Sequence, residues 1–187
     1  KPFDAKPRFR RVFNYYVIFF GSLTLLFFIF ARSVTITMTQ PPFHDAFRIV
    51  GFSALSYFFI GLYSILLPPL YYKKKVKEQS IIQGIACIPY IIIGIMLIQL
   101  LGAFGAAIGL SIGFFFMLLI TWLWVKKKYN DLHISYGFKQ NVSYAIYFSV
   151  IIAIFTINRN FNIIVELAMA ITALVSLILF LIKTLNS

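Results

Sequence analysis

Six long apolar runs occupy almost the whole of this chain, at about Val12–Ala31, Ala46–Leu70, Ser80–Leu101, Phe104–Val125, Asn141–Ile157 and Phe161–Ile182. A hydrocarbon core about 30 Å thick takes ~20 residues of helix at ~1.5 Å each. The fifth run is short and is expected at a thin point of the bilayer, or to draw on its flanking aromatics. In lipid every backbone N–H and C=O must be paired within the protein, which leaves helices or closed barrels. Runs of this length without alternation are helices. The expected fold class is therefore all-α, a polytopic membrane helix bundle with six transmembrane helices. Composition agrees: 61% of the residues are hydrophobic and 12% charged. That is too little polar surface to cover a water-soluble globule.

The formal charge of +12 raises the question of nucleic acid, but the placement of the charges argues against it. If the chain crosses six times, fourteen of the seventeen Lys and Arg fall on one face: before the first run, after the second, between the fourth and fifth, and at the end. Arg32, Arg48 and Arg159 fall on the other. The positive-inside rule then puts both termini of the chain in the cytoplasm. The basic loops are expected to contact anionic membrane lipids.

This divides the chain into a basic lead-in segment (1–11), four transmembrane helices (12–128), a cytoplasmic loop (129–140) and a terminal transmembrane hairpin with its tail (141–187). The first outer loop is expected over Arg32–Asp45, where Pro41-Pro42 stops helix and Asp45 offers an N-cap. Pro68-Pro69 ends the second helix just before Tyr71-Tyr72 and the lysines, an interfacial pattern. Gly102-Ala103 and Asn158-Arg159-Asn160 predict two tight outer hairpins. The chain begins at Lys1 without an initiator Met and is expected to be the tail of a longer protein. The first run is too long for a signal-peptide core. The lone Cys87 predicts a small buried residue; with two His it supplies no disulfide and no metal-ligand set.

Gly105, Gly109 and Gly113 recur four apart and form a flat stripe on the fourth helix, the pattern for close helix packing. Gly84, Gly94 and Pro89 allow a bend in the third. Ionisable residues inside the membrane are the strongest functional pointers, because each costs roughly 2.5–3.5 kcal/mol at the helix centre. Arg48 and Glu166 qualify. Arg48 either snorkels to the outer surface or holds an anionic headgroup such as a pyrophosphate. Glu166 either pairs with Arg159 or accepts a coupling proton. Arg32 reads as an interface anchor. Catalysis finds little support: the five acids are not paired in sequence, and no D-x-D, Walker, G-x-S-x-G or H-E-x-x-H pattern occurs. Neither a catalytic residue nor a cofactor is expected.

Several features occur together in order: the basic stop Tyr71-Tyr72-Lys73-Lys74-Lys75, the apolar helix Ile81–Leu101, and Leu101-Gly102-Ala103-Phe104-Gly105-Ala106-Ala107-Ile108-Gly109 leading to a helix with a Lys-rich end. This resembles the C-terminal half of bacterial polysaccharide flippases of the Wzx type, in the multidrug/oligosaccharidyl-lipid/polysaccharide (MOP) exporter superfamily. The stretch Pro41–Val50 also resembles the start of the preceding family helix. The similarity covers about residues 12–128, with the last hairpin as a terminal extension.

The resemblance implies helices nine to fourteen of a fourteen-helix MATE-like transporter whose N-terminal half is a missing partner. It implies translocation of undecaprenyl-pyrophosphate-linked oligosaccharide repeat units across the bacterial plasma (inner) membrane for surface polysaccharide biosynthesis, including O-antigen of lipopolysaccharide. Alternating access would be driven by an ion gradient. Arg48 would bind substrate; Glu166, outside the resembling stretch, is the candidate to couple the ion by its own place inside the sixth run. The rivals are a MATE-like drug or cation antiporter, a membrane glycosyltransferase or polymerase of the same pathway, and a non-transporting scaffold. The antiporter would want an acidic cavity. The polymerase would want a large loop bearing catalytic acids or histidines.

Overall fold

The computed structural model describes residues 6–128, 167–172 and 175. These residues are helical apart from short connections, and no strand occurs among them. The chain runs through α1 (Lys6–Met38), a 3-10 turn (Pro41–Ala46), α2 (Phe47–Leu66), α3 (Pro68–Tyr72), α4 (Val76–Leu101) and α5 (Ala103–Lys128). Four helical stretches are long and apolar enough to cross a membrane: Arg8–Met38, Pro41–Tyr72, Val76–Leu101 and Ala103–Lys128. These are the first four of the six expected spans, and they mark a multi-spanning membrane protein. The loop 129–140 and the hairpin 141–187 lie outside the described residues, apart from 167–172 and 175, which are helical.

The first helix is longer than its apolar run. The expected outer loop Arg32–Asp45 is helix as far as Met38. In and just after this Thr-rich segment the hydroxyls bond back one turn: Thr37 Oγ1 to the Ser33 carbonyl at 2.8 Å, and Thr39 Oγ1 to the Thr35 carbonyl at 2.7 Å. The helix stops ahead of Pro41-Pro42, which occupy the start of the 3-10 turn. With 33 residues, α1 runs ~50 Å, well beyond the hydrocarbon thickness.

At the far end of α2, Pro68 pushes Leu67 out of helical conformation and then serves as the first residue of α3. The α3 helix closes in a Schellman turn. The Lys75 amide donates to the Leu70 carbonyl and the Lys74 amide to the Tyr71 carbonyl, both at 2.9 Å. Lys74 holds the left-handed position (φ 54°) that glycine usually takes. That conformation costs an L side chain roughly 1–2 kcal/mol.

The fold comprises two compact units, Lys1–Asn14 with Phe52–Tyr136, and Tyr15–Gly51 with Gly137–Ser187. In the first, α4 and α5 form a hairpin turned on Gly102 alone, at φ 60° and ψ −137°. Its amide donates to the Ile98 carbonyl at 2.8 Å, and its backbone conformation is one only glycine adopts without strain. The α4 helix passes Pro89 without interruption. Lipid tails are as apolar as Leu, so helices in a bilayer associate through close packing and hydrogen bonds. Both operate here. The α5 stripe lies against α4: a Cβ added at Gly105 would land on the Leu97 carbonyl, one at Gly109 would come 3.0 Å from Gly94 Cα, and one at Gly113 would meet the Tyr90 ring at 2.6 Å. Between α2 and α5, Ser56 Oγ and Ser111 Oγ lie 2.9 Å apart, and both reach the Phe52 carbonyl at 2.8 Å. Near the lysine-bearing end, Tyr63, Leu67, Leu70, Ile82 and Val125 make a buried apolar cluster.

In the second unit, Leu25, Ile29 and Ala170 form a buried cluster, and Gly51 lets the Phe28 ring lie directly on the α2 backbone. Cys87 is exposed, near the middle of α4, which corrects the expected buried position. Among the described residues its helix buries only Ile82, Ala86 and Gly94, so a small apolar residue on another face stays uncovered.

Candidate functional site

Two polar groups stand out among the described residues, one in each unit. The first is built on Arg48, the second residue of α2. Its Nη2 donates to Asp45 Oδ1 at 3.2 Å; the Arg48 side chain is 30% exposed and the Asp45 side chain 84%. Asp45 therefore serves as counter-ion to Arg48 rather than as the expected helix cap. The guanidinium carbon stands 5.9 Å from the centroid of the Phe47 ring, so one face of the cation is covered by an aromatic. Arg48 Nε is buried and has no hydrogen-bond partner among the described residues. A desolvated donor on a charged group is costly to leave unpaired. With Asp45 so open to solvent, the ion pair contributes little, about 0–1 kcal/mol. The arrangement is a half-covered cation with one weak counter-ion and a spare donor. It suits a phosphate-type anion better than a cation. Nearby, His44 Nε2 lies 3.2 Å from the Thr39 carbonyl, which fixes the turn that carries Asp45.

The second group gathers on Glu78, in the first turn of α4. One carboxylate oxygen accepts from Lys128 Nζ at 2.7 Å and the other from Trp124 Nε1 at 2.9 Å. The Glu78 side chain is only 12% exposed. The clasp ties the start of α4 to the last turn of α5. One helical turn further along α4, Gln83 donates to the buried Tyr63 hydroxyl at 3.0 Å, and Gln79 approaches it at 3.4 Å. Trp122 and Trp124 each lie under a lysine: Lys126 Nζ is 5.0 Å from the one ring centroid and Lys128 Nζ 5.6 Å from the other.

Of the residues singled out from sequence, Arg48 stands at the start of α2 with Asp45, while Gly105, Gly109 and Gly113 face α4. Glu166 and its suggested partner Arg159 lie outside the described residues. Arg32 sits inside α1, partly exposed. No group of three His, Cys, Asp or Glu suited to a metal ion occurs among the described residues. Sequence reasoning passed over Glu78 and the Ser56–Ser111 pair. A signal for the first existed: Trp124 and Lys128 are four apart, hence on one face of α5. No family model matches the chain, and searches of curated proteins and of solved structures find no match either.

Proposed function

We propose that this chain is the C-terminal part of a flippase that moves undecaprenyl-pyrophosphate-linked oligosaccharide repeat units across the bacterial plasma membrane, with no enzymatic step of its own and no cofactor. The observation that carries the reading is the stretch Leu101–Gly109 through the α4–α5 turn, between the basic stop Tyr71–Lys75 and the lysines that end α5. The local charge pattern supports an anionic cargo. Among the described residues the carboxylates are Asp45, in the turn before α2, and Glu78, engaged by Lys128 and Trp124. An exporter of cations would want a carboxylate facing its path. Arg48 is the substrate-binding residue of this proposal: its guanidinium stays charged, its side chain is partly exposed beside a weak counter-ion, and its planar fork matches the geometry of a phosphate. Glu166 is the ion-coupling residue.

The test uses the whole protein in a bacterium whose surface polymer depends on it. Arg48→Ala weakens polymer export and leaves membrane insertion intact; Arg48→Lys restores part of it, because charge returns without the planar fork. Unchanged polymer in Arg48→Ala removes Arg48 from the site. Loss of the whole protein with normal polymer, together with cationic-dye efflux that depends on Glu166, overturns the flippase in favour of an antiporter.

A further inference from the structure

The lysine-bearing end of the first unit holds more charge than helix termination requires, and the fold collects it. Lys73, Lys74, Lys75 and Lys77 lie between α3 and the first turn of α4, and Lys126, Lys127 and Lys128 form the last turn of α5. Glu78 bonds Lys128 and Trp124 and so brings the two lysine arms to one rim. It is the one carboxylate of this unit among the described residues. The apolar cluster of Tyr63, Leu67, Leu70, Ile82 and Val125 underlies both arms and fixes their spacing. The Schellman turn places Lys74 at φ 54°, where glycine would be cheaper. What lysine adds at that position, and glycine lacks, is an ammonium group in the rim.

From this we infer that the rim is a binding site for the headgroup of an anionic phospholipid, and that Glu78 organises it. The surroundings of the rim favour a lipid over a free anion. On α4, Lys77 heads a stripe at helical spacing, Ile81, Ile85, Ile88, Ile92 and Ile95, all of them exposed. A phosphodiester at the lysines leaves its acyl chain lying along that stripe. Trp122, Trp124 and exposed Tyr71 and Tyr72 sit at the level where such rings meet headgroups. The site is independent of the transport reading and stands or falls separately.

The experiment reconstitutes the full protein in phosphatidylcholine vesicles carrying a minority of phosphatidylglycerol. The association of spin-labelled forms of each lipid is then compared. The wild-type protein prefers phosphatidylglycerol. Replacing two exposed lysines, Lys75→Gln with Lys127→Gln, lowers that preference by roughly thirtyfold at about 1 kcal/mol per lysine. Glu78→Gln is the discriminating variant. It adds a positive charge and keeps an acceptor for Trp124 but releases Lys128. A built rim predicts that the preference falls; simple charge attraction predicts that it rises about fivefold. Unchanged helix content by circular dichroism and unchanged elution volume show that each variant is folded. A rise or no change in Glu78→Gln, no loss in the lysine pair, or displacement of phosphatidylglycerol by inorganic phosphate at constant ionic strength would each overturn the site.

Discussion

A Gly→Ala series along the α4–α5 hairpin separates helix propensity from packing, because the same methyl meets four different surroundings. At Gly84 a Cβ meets nothing within 4 Å, so Gly84→Ala gains the intrinsic helix preference of alanine, about 1 kcal/mol. At Gly109 the new Cβ reaches 3.0 Å from Gly94 Cα. A shift of a few tenths of an ångström relieves it, and the gain and the cost nearly cancel. At Gly113 it meets the Tyr90 ring at 2.6 Å and Tyr90 Cβ at 3.0 Å; the ring of this 38% exposed residue can turn aside, but its Cβ moves only with the α4 backbone, so the loss exceeds that at Gly109. At Gly105 the obstacle is the Leu97 carbonyl, part of the α4 backbone, which has no rotamer to change. The helices must part by about an ångström there, next to the one-residue turn at Gly102. Overpacking of this kind costs ~1–3 kcal/mol, and the upper end applies when backbone is struck. Net of propensity, Gly105→Ala loses about 2 kcal/mol. The assay is reversible unfolding of the full protein from mild detergent into dodecyl sulfate, followed by tryptophan emission. The order of stability should be Gly84→Ala, wild type, Gly109→Ala, Gly113→Ala, Gly105→Ala. If Gly105→Ala matches or exceeds Gly84→Ala, the two helices are not in backbone contact and the packing argument fails.

Lys74→Gly relaxes the left-handed position (φ 54°) and should stabilise the protein by ~1 kcal/mol in zwitterionic detergent, read as a higher thermal midpoint; a lower midpoint would show that the Schellman turn is misassigned. Ser111→Ala leaves Ser56 its bond to the Phe52 carbonyl and should cost only about 0.6 kcal/mol, with the double change Ser56→Ala/Ser111→Ala less than additive in the same unfolding assay. Additive losses would mean that the hydroxyls do not share one network. Cys87, exposed near the middle of α4, should resist both charged and lipid-soluble maleimides in intact membranes, because the addition proceeds through a thiolate that forms in water, and should react once the protein is unfolded in dodecyl sulfate; labelling in intact membranes would place it against water. In a Cys87→Ser background, cysteines at 75 and 127 should be labelled only after the cells are opened; labelling from outside would reverse the orientation.

Much of the fold was legible because a bilayer leaves a chain few options. The ends of α4 and α5 fall where glycine and lysine place them: Gly102 marks the turn, and the Lys-rich segments bound the apolar helices. The misjudged boundaries have local causes. The extent of α1 through Met38 was hidden because Thr is a weak helix former, while the helix in fact runs on until Pro41-Pro42, the first residues that cannot continue it. Asp45 looked like a cap by position, but a neighbouring guanidinium is a stronger partner for a carboxylate than a backbone amide is. At the candidate site, Arg48 was visible as an ionisable residue at the edge of an apolar run; its covered face and spare Nε were not.

What the linear order of residues determined was the material of this protein: helices in place of strands, their approximate lengths, the lysines that set the membrane boundary, and the small-residue stripe of Gly105, Gly109 and Gly113. These follow from solvent and period, which act on each segment by itself. Tertiary structure decided which groups meet. Glu78 and Lys128 are 50 residues apart, and Ser56 and Ser111 are 55 apart. Such partners are joined only when two helices lock at one rotation and one height. That locking depends on whether a carbonyl such as that of Leu97 can lie directly on a glycine, which is a property of two surfaces together and of neither alone.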